Sequence, residues 1–377
     1  MKTIGRIIIL LLLPLTALEV NAQDDLYMNI IQTDGSVIRV PVNDIQEVKI
    51  DKASYNPRPM SIKVSSEALE DNAQAAGAMR KIPPTTTESL KKFYLNYVFN
   101  NKGIVVGKPE LYTYDVDNGY WLVGKTDDPG TGGWPDTAPN NTLVTFYAYA
   151  NVDVDTDDYD NNLFFLDDSN RPCISFGMDQ YSQELNDLLV AQNSDSWTNC
   201  EGYLYLPFEH ACAALEFYIS KTSSLADYTV SVNSVKIHNV PSVGTYCFNS
   251  GEGEWDVFKD SECLKEYTVY AMDNDAITVK KDADGKDLLI GEGNYMFLIP
   301  QTLTAWNKEG SPLSSSGTYI EIKCKISKNE EYIIGGASDW GSVYLPFEAT
   351  LLKGRIQPFT IKMGTALRDV NGNKIFQ

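Results

Sequence analysis

The chain has 377 residues, 43% hydrophobic and 22% charged, with a formal net charge of −20. That length and apolar content exclude a disordered polymer and allow two domains with sizeable cores. The acidic balance argues against nucleic acid, whose phosphates need a basic surface, and against anionic membrane surfaces.

Lys2 and Arg6 precede an apolar run from Ile7 to Leu13, and Val20-Asn21-Ala22 has the small-residue pattern of a signal cleavage site. Residues 1–22 therefore read as a secretion signal cut after Ala22, with an apolar run too short for a permanent membrane helix. No Cys stands near the cut to accept a lipid, so a secreted protein without a lipid anchor is expected. Its removal takes away Lys2, Arg6 and Glu19 and leaves 29 basic against 50 acidic residues.

Residues 23–52 carry a hairpin signal. Leu26, Met28 and Ile30 alternate, Thr33-Asp34-Gly35 turns, and extended segments follow from Val37 to Val42 and from Val48 to Ile50. Residues 53–90 read as a linker: Asn56-Pro57-Arg58-Pro59 breaks structure, and Pro83-Pro84 with three Thr is extended. Within it lies Arg80-Lys81, an exposed basic pair of the kind that trypsin-like proteases cut. The competing reading is an ordinary solvated charge pair.

Beyond the linker, short apolar segments alternate with turns. Phe93, Leu95, Tyr97 and Phe99 alternate, and Leu143 to Ala150 is apolar on both faces. The one helical pattern runs from Gln180 to Gln192, with Leu185, Leu188 and Leu189 on one side. Further strands are expected from Tyr228 to Ile237, Thr318 to Ile326 and Gln357 to Met363. The pentapeptide Tyr-Leu-Pro-Phe-Glu occurs twice, at Tyr205 to Glu209 and Tyr344 to Glu348, each before an alternating apolar segment. Pro cannot donate to a ladder, so Pro207 and Pro346 are expected at strand starts or edges. The fold class is all-β: two tandem β-sandwich domains, residues 91–235 and 236–377, after the hairpin segment.

Six Cys are present, none in a CxxC pair, so zinc is not indicated. Secretion permits disulfides, with Cys200–Cys212 and Cys247–Cys263 as local pairs; free buried thiols are the equal alternative. His210 and His238 are the only imidazoles, and no HExxH, GxSxG or phosphate-binding loop occurs. The reading is therefore not an enzyme, and no cofactor is implied. The acidic run Asp153, Asp155, Asp157, Asp158 and Asp160 fails the EF-hand template, because Asp158 stands at the Gly position and Phe164 at the final Glu. It reads as a solvated loop. The six Trp have no common spacing and read as packing residues.

Several segments together resemble the fimbrillin family of pilin-like proteins. They are Trp134-Pro135 with Leu143 to Ala150; Phe208 to Phe217; Phe297 to Leu303; and Trp340 to Tyr344 leading through Gly354 to Phe359-Thr360-Ile361. The resemblance covers roughly residues 80 to 363. It implies two transthyretin-like β-sandwich domains and a subunit of an extracellular pilus or a related surface adhesin. It also implies cleavage after an Arg, matched here by Arg80, and a groove that another subunit's strand then fills. Partners would be other pilus subunits, a processing protease, and host or microbial surface glycans or proteins. The chain departs from the family in lacking a lipid-accepting Cys and in its short tail, whose Ala366, Leu367, Val370 and Ile375 only partly suit a donor strand. The alternative is a surface carbohydrate-binding module that does not polymerise.

Overall fold

The computed structural model describes residues 27–31, 37–41, 61–64, 79–82, 90–99, 104–117, 119–123, 141–152, 164–178, 187–200, 203–248, 253–271 and 276–376. The signal segment with Ala22, the acidic run and Trp134 lie outside the described residues. In chain order the strands are β1 (Tyr27–Ile31), β2 (Val37–Pro41), β3 (Ser61–Val64), β4 (Arg80–Lys81), β5 (Lys92–Phe99), β6 (Ile104–Asp115), β7 (Tyr120–Val123), β8 (Val144–Ala150), β9 (Phe164–Leu166), β10 (Pro172–Gly177), β11 (Leu189–Asp195), β12 (Tyr203–Leu206) and β13 (Glu209–His210). They continue with β14 (Ala213–Lys221), β15 (Thr229–Pro241), β16 (Val243–Cys247), β17 (Glu254–Val257), β18 (Leu264–Ala271), β19 (Ile277–Thr278), β20 (Asp287–Ile290), β21 (Met296–Leu298), β22 (Thr302–Leu303), β23 (Tyr319–Lys328), β24 (Glu331–Ile334), β25 (Gly341–Pro346), β26 (Ala349–Thr350) and β27 (Arg355–Met363). Among the described residues helix is limited to Leu90, the single turn α1 (Trp197–Cys200) and short 3-10 turns.

β1 and β2 pair as the hairpin that the alternation around Asp34-Gly35 predicts. Six strands then form one antiparallel sheet in the order β13-β11-β8-β5-β6-β7. Every residue of β8 is buried. Phe146 and Ala148 pack on one side with Phe93 and Leu204, while Tyr147 and Tyr149 pack on the other with Phe164 and Ile174. A strand covered on both faces needs a near-continuous apolar run, which Val144 to Ala150 supplies except at Thr145, whose hydroxyl pairs with that of Ser194 at 2.7 Å. The second layer is the sheet β17-β16-β10-β9.

The stretch from Gln180 to Gln192, expected as a helix, is corrected by the structure. From Leu189 it is β11, paired with β8 over Leu189↔Ala150 to Asp195↔Val144. Leu188 and Val190 enter one core cluster, Leu189 and Ala191 the other. Two-sided burial erases the polar alternation that identifies a strand, and the remaining Leu spacing mimics a helix face.

The C-terminal half is built from the sheet β20-β14-β27-β4, with β21 also on β14, and the sheet β18-β15-β23-β24, with β25 also on β23. Leu215, Phe217 and Ile219 of β14 pack against Val230, Val232 and Val235 of β15 and Ile322 of β23 in one cluster. The two copies of Tyr-Leu-Pro-Phe-Glu end β12 and β25, so Pro207 and Pro346 sit where strands stop. The long strands that follow them, β14 and β27, pair with each other in parallel from Ala214↔Ile356 to Lys221↔Met363. The expected junction at residues 235 and 236 falls inside β15, which pairs with β23 on both sides of it. After β15 the chain crosses back, and β16 joins β10.

That return creates the disulfide. Cys173 and Cys247 are opposite each other in the β10–β16 register and are bonded. Neither local pair read from the sequence forms. Cys212 and Cys263 are free thiols, and the Cys200 thiol donates to the Trp197 carbonyl. Strand register, and not closeness along the chain, selects the partners.

Candidate functional site

The sequence places Arg80-Lys81 in a loose, exposed linker; the structure corrects this. The pair forms β4, laid antiparallel on the edge of the β14–β27 sheet, with Lys81 opposite Arg355 and Arg80 opposite Ile356. The Ile82 N–H donates to the Gly354 carbonyl at 3.1 Å, and the Ile82 side chain is buried with Ala214 and Ile356. In extended backbone Arg80 and Ile82 share one face, so the apolar anchor at Ile82 sets the direction of the Arg80 side chain.

That side chain ends on Glu216 in the middle of β14. Its guanidinium donates to both carboxylate oxygens, Nη1 to Oε2 at 3.1 Å and Nη2 to Oε1 at 2.5 Å. The Arg80 side chain is 33% exposed, that of Glu216 only 1%. Nη2 also donates to the Tyr295 hydroxyl at 3.4 Å, and the guanidinium lies 5.8 Å from the Tyr295 ring centre. The Glu292 N–H and the Tyr218 hydroxyl add donors to Glu216 at 3.4 and 3.5 Å. Gly291, with φ +153°, lets the backbone close over the carboxylate: a Cβ there would sit 3.1 Å from Glu216 Cγ.

Burial by itself pushes the Glu216 carboxyl up. The hydrogen bonds from Arg80 and Glu292 outweigh that and hold it below the ordinary 4.5. The bond to Glu216 in turn raises the Arg80 guanidinium above its ordinary value. A buried carboxylate is stable only with such partners, so Arg80 is the counterion that lets β14 carry a charge inside the sheet. Sequence reasoning found Arg80 but not Glu216 or Tyr295, which lie 136 and 215 positions away.

The segment before Arg80 contacts the body at a second place. β3 lies parallel to β12, with Ser61 opposite Tyr203 and Val64 opposite Leu206. Ile62 packs on the cluster that holds Leu204 and Phe208. The described N-terminal strands thus close two edges, β3 on β12 and β4 on β27.

The tail residues read as donor-strand candidates are docked elsewhere. Leu367 is fully buried, while Ala366 and Val370 are exposed and Ile375 is half-buried. Arg368 and Tyr344 exchange both backbone hydrogen bonds at 3.0 Å, which ties the tail to β25. The structure therefore does not bring these residues to Arg80.

The remaining titratable clusters have structural partners. His210, on β13, bonds Asp187 through Nδ1 at 2.8 Å. His238 Nε2 bonds Glu321 at 3.0 Å, and its ring stacks on Tyr319 at 4.7 Å. Ser342 also donates to Glu321, at 2.7 Å. The carboxylate sits between the Ser and the His, an order that leaves the imidazole unable to take the hydroxyl proton. Asp167 lies beside Cys173 and Cys247, but the sulfurs are spent in the disulfide and the carboxylate accepts from Ser169, Arg171 N–H and Arg171 Nε. Trp121 and Trp306 are buried, and Trp255 Nε1 donates to the Ala211 carbonyl. Among the described residues no helix is long and apolar enough to cross a membrane.

No curated protein matches the chain. Among solved structures, a fimbrial protein from Bacteroides vulgatus shares 15% identity at a TM-score of 0.46, over 81% of this chain and 95% of that one. Proteins described as cell adhesion proteins share 15% identity from Bacteroides uniformis, at a TM-score of 0.40 over 82% and 94%, and 13% from Bacteroides ovatus, at 0.40 over 83% and 95%. The family described as fimbrillin-like matches residues 131–374, more than half of the chain. On that match, the chain belongs to the fimbrillin-like family.

Proposed function

We propose that the protein is a subunit of an extracellular pilus, or a related surface adhesin, which becomes able to assemble when its N-terminal segment is cut after Arg80. The observation that carries this reading is the position of β4: a two-residue strand on the edge of β27, held by the Arg80–Glu216 ion pair and the Ile82 anchor. A cut between Arg80 and Lys81 severs both β3 and Arg80 from the body. The edge of β12, and that of β27 at Ile356, then present unpaired N–H and C=O groups, which an extended strand from another subunit satisfies. Other subunits and a processing protease are the partners, and the cell surface is where they meet. An adhesive role adds surface glycans or proteins of the host or of other microbes.

The test is limited trypsin digestion of the precursor, with N-terminal sequencing and sizing. A first cut after Arg80, followed by conversion of monomer to oligomer, is the expected result. Surface assembly that continues unchanged in Arg80→Ala cells rules the mechanism out.

A further inference from the structure

We infer that Glu216 is a charge socket for the strand that replaces β4: the incoming segment must present an Arg or Lys opposite Ile356. This rests on the strand-exchange reading above and specifies its partner. Cleavage after Arg80 removes the guanidinium that carries both hydrogen bonds to Glu216. The carboxylate stays on the central part of β14 between β27 and β20, where the backbone at Gly291 still covers one side of it; its 1% exposure belongs to the uncut chain, with Arg80 over it. The Tyr218 hydroxyl and the Glu292 N–H remain, at 3.5 and 3.4 Å, but neither brings a positive charge. A buried carboxylate without a counterion is costly, and the cost is relieved by whatever cation the next strand delivers.

Geometry fixes where that cation must stand. Ile82 belongs to the mature side of the cut and keeps its place beside Ile356 and Ala214. The vacated position is therefore the one opposite Ile356 on the open edge of β27, in antiparallel register. Tyr295 extends the preference to a planar cation, because its ring and hydroxyl both face the guanidinium. A neutral or acidic residue there leaves Glu216 unpaired, so the socket rejects most strands by charge and admits few. The competing cations within the cut protein are the new α-ammonium of Lys81, next to the vacated position, and Lys286, whose ammonium lies 3.6 Å from the centre of the Tyr218 ring.

The experiment uses the full chain cut after Arg80 and separated from the released segment. Short extended peptides of alternating threonine and valine carry arginine, lysine, glutamine or glutamate at one fixed position, and binding is followed by fluorescence anisotropy. The arginine peptide is expected to bind at least about 30-fold tighter than the glutamine peptide, with lysine between them and glutamate weakest. In Glu216→Gln, whose uncut form serves as the folding control, the arginine and glutamine peptides should bind alike. Equal binding of all four peptides to the wild-type protein overturns the socket, as when Lys286 or the new Lys81 α-ammonium swings onto Glu216, and leaves strand exchange standing. Failure of every peptide to bind overturns strand exchange and the socket together.

Discussion

Cys173 and Cys247 stand directly opposite each other on the antiparallel strands β10 and β16, and their disulfide spans 74 positions of chain. Between them the chain leaves the first pair of sheets, builds β14 and β15, and returns. The bond therefore fixes the returning strand to the sheet it left. Breaking it frees a long loop in the unfolded state, and Cys247→Ser should lower stability by roughly 2–4 kcal/mol. Urea unfolding with and without reductant measures this. Reduction should shift the wild-type midpoint and leave the variant unmoved.

Arg80 and Glu216 give the protein an acid-sensitive edge. The folded-state Glu216 carboxyl is held below 4.5, so its contribution is present above the unfolded value and is lost as pH falls through the folded value. Arg80→Ala removes the largest stabilising partner, and burial then pushes the carboxyl up. The sign reverses: the unpaired carboxylate costs stability as pH rises past its unfolded value. The variant should be less stable than wild type by about 1–3 kcal/mol at neutral pH, with the gap closing in acid. Urea midpoints measured across that range decide it, and a gap independent of pH contradicts the assignment.

Leu188 and Leu189 test the two-sided strand. Both are buried, but in different clusters. A helix with a wet face would tolerate one of the two truncations. Here Leu188→Ala and Leu189→Ala should each cost about 2–5 kcal/mol in chemical denaturation.

The same strand marks what the sequence makes legible. The all-β character and the β1–β2 turn follow from local periodicity and turn residues, and β8 from its near-continuous apolar run. β11 does not, because its apolar residues serve two cores at once. The Arg80 site is half legible. A basic pair in a Pro- and Ala-rich stretch is visible in one dimension, but its meaning depends on Glu216 in β14, an acidic residue inside an apolar run with no local signal. The disulfide is hidden for the same reason, since only the β10–β16 register brings Cys173 to Cys247.

The tail is a packed element of the C-terminal half. Leu367 is fully buried, and Gly372, with φ +84°, approaches the Gly310 carbonyl so closely that a Cβ would lie 2.3 Å from it. Gly372→Ala must therefore move one of two backbones, and Leu367→Ala should cost about 2–5 kcal/mol. Both variants should expose residues after Met363 to carboxypeptidase, read by intact mass. A tail already digested at wild-type rates in neither variant's favour would mean that it is not docked.

The last prediction concerns the order of events at β4. A protease must bind the residues around its scissile bond in extended form, outside the sheet, so β4 has to lift from β27 first. Two residues of strand pairing are a weak hold, and such edges open locally at small cost. What keeps Arg80 down is its hold on Glu216, together with the Ile82 anchor, the second residue beyond the cut. Glu216→Ala removes the first and leaves the second. Trypsin should then cut after Arg80 faster than in wild type, while other sites keep their rates. Ile82→Ala should speed the cut by loosening the other end, and the two effects should be additive if the holds are independent. Gels of timed digests, with the new N-terminus at Lys81 confirmed by sequencing, give the rates. If Glu216→Ala leaves the rate at Arg80 unchanged, the ion pair does not guard the cleavage site.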